Sequence, residues 1–285
     1  MSDPAARSRR IGVVGGGTMG SGIAHVLLVA GYDVLLVESD EAALDRAVGL
    51  VRRSLDGAVQ RGKLADAAQP LSRLSSTVDR NSLSGAAIVI EAVPEILQLK
   101  IDLLADVEAF AGDDVVLASN TSSLSLARIG ERLRRPERLV GMHFFNPVPA
   151  QPLLEIVRSD RTSAQALAAA RELAEALGKE VVEVRDSPGF ATSRLGVALG
   201  LEAVRMVEEG VAAPEDIDKA MVLGYRYPMG PLRLGDLVGH DVRLGIAKYL
   251  AAELGPRFEP PELLRTMVAE GKLGKKSGQG FYTWE

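Results

Sequence analysis

One short segment near the N-terminus restricts the possible folds more than any other: IGVVGGGTMGSGIAHVLL, residues 11–28. Gly15, Gly17 and Gly20 form the pattern G-x-G-x-x-G directly after an apolar run of strand length and directly before an apolar pattern of helical period. The first glycine permits a tight turn, the second lets the backbone approach a pyrophosphate, and the third lets helix and strand pack closely. The helix N-terminus also presents free N–H groups and a positive dipole end to phosphates. The segment therefore predicts a strand–turn–helix unit that binds a dinucleotide.

An acidic residue at the end of the next strand candidate supports this prediction. Glu38 closes the run DVLLVE, eighteen residues after Gly20. A carboxylate there can accept hydrogen bonds from the adenosine ribose hydroxyls and repels a 2′-phosphate, which favours NAD over NADP. The glycine pattern alone also permits FAD. The strand, the helix and the acid together argue against a glycine turn that binds nothing.

Strand and helix patterns alternate as far as about Val184 and then change. The strand candidates are IGVVG, DVLLVE, AIVIEAV, DVVLAS, RLVGMHF, LLEIV and EVVEV. This alternation predicts an α/β, Rossmann-type domain with a mostly parallel sheet and helices on both faces. After RDSPGF only amphipathic helical patterns follow, separated by Gly and Pro. We expect a disordered polar tail over residues 1–9, a dinucleotide-binding domain over residues 10–184 and an all-helical domain over residues 185–285.

Composition and charge exclude several classes of protein. The 285 residues include no cysteine and only three histidines, so we expect no disulfide, no thiolate zinc site and no catalytic metal. A formal net charge of −5, with basic residues spread along the chain, argues against nucleic acid as a partner. No run of about 18 apolar residues occurs, and the polar N-terminus lacks the apolar core of a signal peptide. We therefore expect a cytoplasmic protein that does not enter membranes.

The stretch GMHFFNPVPAQPLLEIV, residues 141–157, places two ionisable side chains in hydrophobic runs. His143 lies near the C-terminal end of a strand candidate, the sheet edge where ligands bind in open α/β folds. A histidine there suits the removal of a hydroxyl proton at neutral pH. Glu155, on the following strand candidate, could bind the far ring nitrogen and stabilise the imidazolium. Either residue alone is better interpreted as a satisfied core or edge residue, but together beside a dinucleotide site they predict an acid–base pair.

Seven motifs spread over nearly the whole chain resemble those of a known family. In order, they are VGGGTMGSGIA, IEAVPE, ASNTSSLSL, GMHFFNPVP, DSPGF, YPMGPLRLGDLVG and GKKSGQGFY, and with them residues 10–285 resemble the L-3-hydroxyacyl-CoA dehydrogenase family. The resemblance implies NAD as cofactor, oxidation of the 3-hydroxyl of a short acyl-CoA, and a homodimer formed through the helical domain. It also implies His143 as the general base, Glu155 as its partner and Ser122 as a contact of the substrate oxygen.

The cofactor and substrate contacts that we expect combine the motif positions with this resemblance. For the cofactor they are Gly15, Gly17, Thr18, Met19, Gly20, Glu38, Ala92, Val93, Glu95, Lys100, Asn120 and Asn146. Glu95, Lys100 and Asn146 are expected at the nicotinamide half. Lys100 could equally be a solvated helix residue. For the substrate the expected contacts are Ser122, Ser193, Arg52, Arg53 and Lys63.

The roles of these five substrate contacts remain open in the sequence. Ser122 follows the strand candidate DVVLAS and could donate to the substrate oxygen or merely cap a turn. Ser193 occupies a position where family members commonly have an asparagine that helps to hold the substrate, so substrate identity is less certain than reaction class. Basic residues after Glu38 could bind CoA phosphates or form a solvated helix face. Two alternative functions are a related dehydrogenase of free hydroxyacids and a non-catalytic NAD-binding structural protein.

Overall fold

The structure, a computed structural model, describes residues 10–285, and the predicted disordered tail at residues 1–9 lies outside the described residues. The chain divides into two compact units, with the division after Asp186. The first is an α/β unit and the second is helical. Each is described separately below.

The N-terminal unit is built on one eight-stranded sheet with the order β3-β2-β1-β4-β5-β6-β7-β8. The strands are β1 (Arg10–Val14), β2 (Asp33–Val37), β3 (Leu74–Thr77), β4 (Ile88–Glu91), β5 (Val116–Ser119), β6 (Leu139–Phe144), β7 (Leu153–Arg158) and β8 (Glu180–Arg185). Strands β1 to β6 are parallel, β7 is antiparallel to β6, and β8 is parallel to β7. The prediction of a Rossmann-type, mostly parallel sheet is confirmed.

Strand β3 was not among the sequence candidates. Its residues, LSST, lie at the edge of the sheet and none of them is buried. A short edge strand with two exposed serines has neither the apolar run nor the alternation that identifies a strand in sequence. Its pairing with β2 places it in the sheet.

Six helices of the described chain flank the sheet, and three of them begin at a side-chain cap. They are α1 (Thr18–Val29), α2 (Glu41–Gln60), α3 (Ala68–Leu71), α4 (Leu97–Phe110), α5 (Leu126–Ile129) and α6 (Ala164–Ala176). The Asp40 carboxylate accepts a hydrogen bond from the Ala43 N–H at 2.8 Å and so caps α2. Strand residues such as Val13 and Ile90 and helix residues such as Leu27 form one buried core.

The C-terminal unit consists of α7 (Thr192–Glu208), α8 (Pro214–Gly224), α9 (Pro231–Val238), α10 (His240–Leu254) and α11 (Glu262–Ala269). Leu201, Leu232 and Leu264 belong to its own hydrophobic core. A buried carboxylate, Asp236, accepts hydrogen bonds from the Phe281 and Tyr282 N–H groups, both at 2.9 Å, and from Trp284 Nε1 at 2.8 Å. The end of the chain is thereby fixed to α9, and the prediction of a helical second domain is confirmed.

Candidate active site

The turn between β1 and α1 has the conformation that its glycines were expected to provide. Gly15 has a φ of +91°, a conformation that side-chain-bearing residues rarely adopt. A Cβ atom added to Gly20 would lie 1.7 Å from the Gly15 carbonyl oxygen, so only glycine permits this approach of helix to turn. A Cβ added to Gly17, the residue that precedes α1, would meet no protein atom within 4 Å. Packing therefore does not require glycine at position 17, which leaves space for an external group at the N-terminus of α1.

The surroundings of this turn fit a dinucleotide. Glu38 is half-buried, and its Oε1 accepts a hydrogen bond from the Gly16 N–H at 2.6 Å. A Cβ at Gly15 would lie within about 3 Å of Ala92 and Val93, which follow β4. Thr18 is exposed and Met19 half-exposed in the first turn of α1. These residues form one surface at the carboxyl ends of β1, β2 and β4, where phosphates and a ribose would be bound.

His143 and Glu155 are in direct contact inside the N-terminal unit. His143 Nδ1 and Glu155 Oε2 are 2.8 Å apart, and both side chains are buried. The antiparallel pairing of β6 with β7 places the two residues opposite each other, so they point to the same face of the sheet. The Phe145 ring packs against the imidazole with a centroid separation of 4.3 Å. Since a carboxylate only accepts, the ring nitrogen that faces Glu155 carries a hydrogen.

Ser122 lies in a loop that a second carboxylate holds in place. Glu95 Oε1 accepts hydrogen bonds from the Ser122 N–H at 2.8 Å, the Ser122 hydroxyl at 3.1 Å and the Thr121 hydroxyl at 2.6 Å. Burial by itself would raise the pKa of Glu95, but Lys100 and the donors of the loop outweigh it and hold the pKa below its usual value. Glu95 is therefore an anion, and it determines where the Ser122 hydroxyl lies.

Lys100 is fully buried, so its interpretation as a solvated helix residue is wrong. Its ammonium contacts Glu91 Oε1 at 2.6 Å and Glu95 Oε2 at 3.3 Å. The expected effect of Lys100 on a cofactor is therefore indirect, through Glu95. The sequence interpretation missed Glu91, although a carboxylate at the end of the apolar run IVIE needs a cationic partner for the same reason as Glu155.

Two asparagines follow neighbouring strands at the same edge. Asn120, directly after β5, accepts a hydrogen bond from the Phe144 N–H through its Oδ1 at 2.9 Å and so joins the ends of β5 and β6. Asn146 is exposed, two residues beyond the end of β6. Because β4, β5 and β6 are adjacent and parallel, the segments carrying Glu95, Ser122 and His143 all emerge at one edge of the sheet.

The remaining expected substrate residues are on α2, shortly after α2, and on α7 of the C-terminal unit. Arg52 and Arg53 are exposed on α2, and Lys63 is exposed shortly after it. Ser193 belongs to the C-terminal unit, in the first turn of α7. Among residues 10–285, no group of three or more His, Cys, Asp or Glu side chains could hold a metal ion. Nor does any helix in this part of the chain combine the length and the apolar character needed to cross a bilayer.

The other two histidines are buried and have partners of their own. His25, on α1, bonds the Ser54 hydroxyl through Nδ1 at 2.8 Å, and burial, with smaller contributions from Arg61 and Lys179, lowers its pKa from 6.5 to about 4. His240 lies 2.7 Å from Asp236 Oδ1 in the C-terminal unit. His143 is thus the histidine that the fold places at the carboxyl edge of the sheet.

Family models match both halves of the chain. The model described as 3-hydroxyacyl-CoA dehydrogenase, NAD binding domain, matches residues 10–187, and the model described as 3-hydroxyacyl-CoA dehydrogenase, C-terminal domain, matches residues 189–284.

Individual relatives are similar over nearly the same span. A 3-hydroxybutyryl-CoA dehydrogenase of Mycobacterium tuberculosis is 46% identical over 281 residues, which cover 97% of this chain and 98% of that protein. A 3-hydroxyadipyl-CoA dehydrogenase of Escherichia coli is 40% identical over 278 residues, 96% of this chain and 58% of that protein. The crystal structure of (S)-3-hydroxybutyryl-CoA dehydrogenase from Ralstonia eutropha superimposes with a TM-score of 0.92 at 40% identity, covering 97% of this chain and 99% of that one.

Proposed function

This chain belongs to the 3-hydroxyacyl-CoA dehydrogenase family, and we propose that His143 and Glu155 supply the acid–base chemistry of its reaction. The protein is an NAD-dependent oxidoreductase that interconverts a short-chain (S)-3-hydroxyacyl-CoA and the corresponding 3-ketoacyl-CoA. The observation that carries the proposed roles is the 2.8 Å contact between His143 Nδ1 and Glu155 Oε2 in a buried environment.

In the oxidation, His143 removes the proton of the substrate 3-hydroxyl through Nε2, because Nδ1 is engaged with Glu155. The chemistry supplied by bound NAD is acceptance of hydride from the carbon that bears this hydroxyl. Glu155 fixes the tautomer and orientation of the ring and stabilises the positive charge that develops on it. In the reverse reduction, the same imidazolium returns the proton to the carbonyl oxygen.

The other expected residues have roles that this reaction requires. On substrate binding, the Ser122 hydroxyl turns its single hydrogen from Glu95 to the reacting oxygen and stabilises its negative charge, while the Ser122 N–H stays bonded to Glu95. The N-terminus of α1 with Gly15 and Gly17 binds the pyrophosphate, Glu38 binds the adenosine ribose, and Asn146 contacts the nicotinamide half. The Glu38 carboxylate disfavours a 2′-phosphate, so we expect a preference for NADH over NADPH.

The decisive experiment is the substitution His143→Gln. We expect kcat to fall by about 10²- to 10⁴-fold while the protein stays folded and still binds NADH. The matched control is His25→Gln, which removes another buried histidine of the same unit and should leave kcat unchanged. A His143→Gln enzyme with full kcat would refute the proposed mechanism.

Similar proteins are named for substrates that differ in the acyl group. One similar protein is named for 3-hydroxybutyryl-CoA and another for 3-hydroxyadipyl-CoA. We propose a short unbranched chain and expect Ser193→Asn to change KM or chain-length preference while activity persists. Substituting Arg52, Arg53 and Lys63 and measuring KM for acetoacetyl-CoA tests whether these residues bind the CoA phosphates.

Two substrate comparisons test the alternative functions. NADH oxidation with acetoacetyl-CoA but not with free acetoacetate supports the CoA thioester as substrate, and the opposite result indicates a dehydrogenase of free hydroxyacids. Absence of activity on every 3-ketoacyl thioester would indicate a non-catalytic NAD-binding protein.

We also propose that the protein is a cytoplasmic homodimer formed through its C-terminal unit. Several apolar side chains of this unit are exposed, among them Leu223 at 70% and Tyr225 at 74% at the end of α8, and Leu234 and Leu237 on α9. Exposed apolar surface is typical of protein interfaces when it is contiguous. The absence of cysteine fits a reducing compartment. Light scattering on the wild type and on Leu223→Glu tests the dimer, which the substitution should weaken.

A further inference from the structure

A buried ion pair lies beneath the loop that follows β4. Glu91 is the last residue of β4, Lys100 is on α4, and both are fully buried. Glu91 Oε1 accepts hydrogen bonds from Lys100 Nζ at 2.6 Å and from the Val93 N–H at 2.8 Å, while Oε2 accepts from the Ser119 hydroxyl at 2.6 Å. Burial raises the pKa of Glu91 above its usual value despite these partners. Burial at this position thus disfavours the charged form of Glu91.

Stability alone is a poor explanation for such a pair. Removing two charges from water costs several kcal/mol per ion, and apolar side chains of similar volume often stabilise a fold as well or better. The ion pair between Glu91 and Lys100 at the base of the candidate site therefore calls for another role.

The contacts of Lys100 lead from the ion pair to the reacting groups. Lys100 Nζ also donates to the Val93 carbonyl at 3.3 Å and lies 3.3 Å from Glu95 Oε2. Val93 is therefore held on both sides, through its N–H by Glu91 and through its carbonyl by Lys100. The other oxygen of Glu95 holds the N–H and the hydroxyl of Ser122.

We propose that Glu91 is a positioning residue for the reaction: through Lys100 it orients Glu95, and Glu95 in turn orients Ser122. Three consecutive ionic or hydrogen-bonded contacts connect Glu91 with the Ser122 hydroxyl. The inference rests on the proposed role of Ser122 in binding the substrate oxygen. Glu91 itself touches neither substrate nor cofactor in this scheme.

The test replaces the ion pair by apolar side chains of similar length. Glu91→Met combined with Lys100→Met removes both charges of the pair together. It also removes the acceptor of the Ser119 hydroxyl and the Val93 N–H, so the thermal unfolding midpoint should fall, and kcat is measured below it. We expect kcat with acetoacetyl-CoA to fall by about tenfold to about a hundredfold, because Ser122 is no longer held. The matched control is Glu108→Gln. Glu108 is a buried carboxylate on α4, paired with Arg138, and its loss should lower stability without lowering kcat.

A double-mutant cycle with Ser122→Ala identifies the route. If Glu91 acts through Ser122, the Glu91 and Lys100 substitutions should have little further effect on kcat in the Ser122→Ala background. Additive effects, or wild-type kcat in the apolar variant, would overturn the inference. Should that variant not fold, Glu91→Gln, which keeps the side-chain shape, enters the same cycle with the same two outcomes. His143→Gln tests the proposed function separately, so failure of one is distinguishable from failure of the other.

Discussion

Replacing Glu155 by Gln examines the acid–base pair most directly. The amide has the shape of the carboxylate, and its oxygen can still accept the hydrogen bond from His143 Nδ1, now 2.8 Å from Glu155 Oε2. The substitution therefore removes the negative charge and leaves the ring in place. Any change in rate then reports the charge rather than the geometry.

The size of the effect follows from the buried contact. A hydrogen bond to a charged group contributes about 1.5 to 3 kcal/mol, against about 0.5 to 1.5 kcal/mol for a neutral one. The lost difference, about 1 to 2 kcal/mol, corresponds to roughly a tenfold loss of rate. Two charges about 4 Å apart at an effective dielectric constant of about 20 interact by about 4 kcal/mol, which sets an upper bound of about 10³-fold.

The change in kcat/KM reports the contribution of the Glu155 charge. Forming positive charge on the His143 ring during the oxidation is harder without Glu155, so kcat/KM should fall. At any one pH, oxidation and reduction must lose the same factor, because a catalyst does not change the equilibrium constant.

The measurements are steady-state rates in both directions over a range of pH, with thermal unfolding and NADH binding as controls for folding. Wild-type kcat/KM in Glu155→Gln at every pH would refute the role of the charge.

Four further outcomes are expected. Gly17→Ala should fold normally, because a Cβ there meets no protein atom within 4 Å. It should bind NADH more weakly in a fluorescence titration, because the Cβ would occupy the space left for the external group at the N-terminus of α1. Gly20→Ala should fold poorly, because its Cβ would lie 1.7 Å from the Gly15 carbonyl oxygen. The pKa of His25 is lowered from 6.5 to about 4, so its contribution to stability is complete above pH 6.5 and is lost as the pH falls toward 4. Denaturant unfolding should show an acid-side loss of about 3 kcal/mol that is absent in His25→Gln. Asp236→Asn should lower the unfolding midpoint, because an amide replaces a carboxylate that accepts several buried hydrogen bonds, at a cost of about 2 to 4 kcal/mol.

Local sequence determined the dinucleotide turn and most of the sheet. Gly15 is required by its positive φ, and Gly20 by its close approach to the Gly15 carbonyl oxygen. Both restrictions act over a few residues, so a short segment is enough to identify the turn. Long apolar runs likewise identified the buried parallel strands, because both of their faces must be covered. Strand β3 was missed because an edge strand does not have to be apolar.

Tertiary structure decided which charged groups meet. The sequence presented His143 and Glu155 twelve positions apart, and their contact depends on β7 running antiparallel to β6 in one particular register. Glu91, Glu95 and Lys100 are close in sequence, and the pairing of β4 with β5 brings Ser122 to them. Hydrophobic period and glycine position can be identified in a short segment, whereas the partner of a buried charge depends on how the chain packs. The kind of fold could thus be inferred from the sequence alone, and the ionic network that orients its reacting groups became visible only in the folded chain.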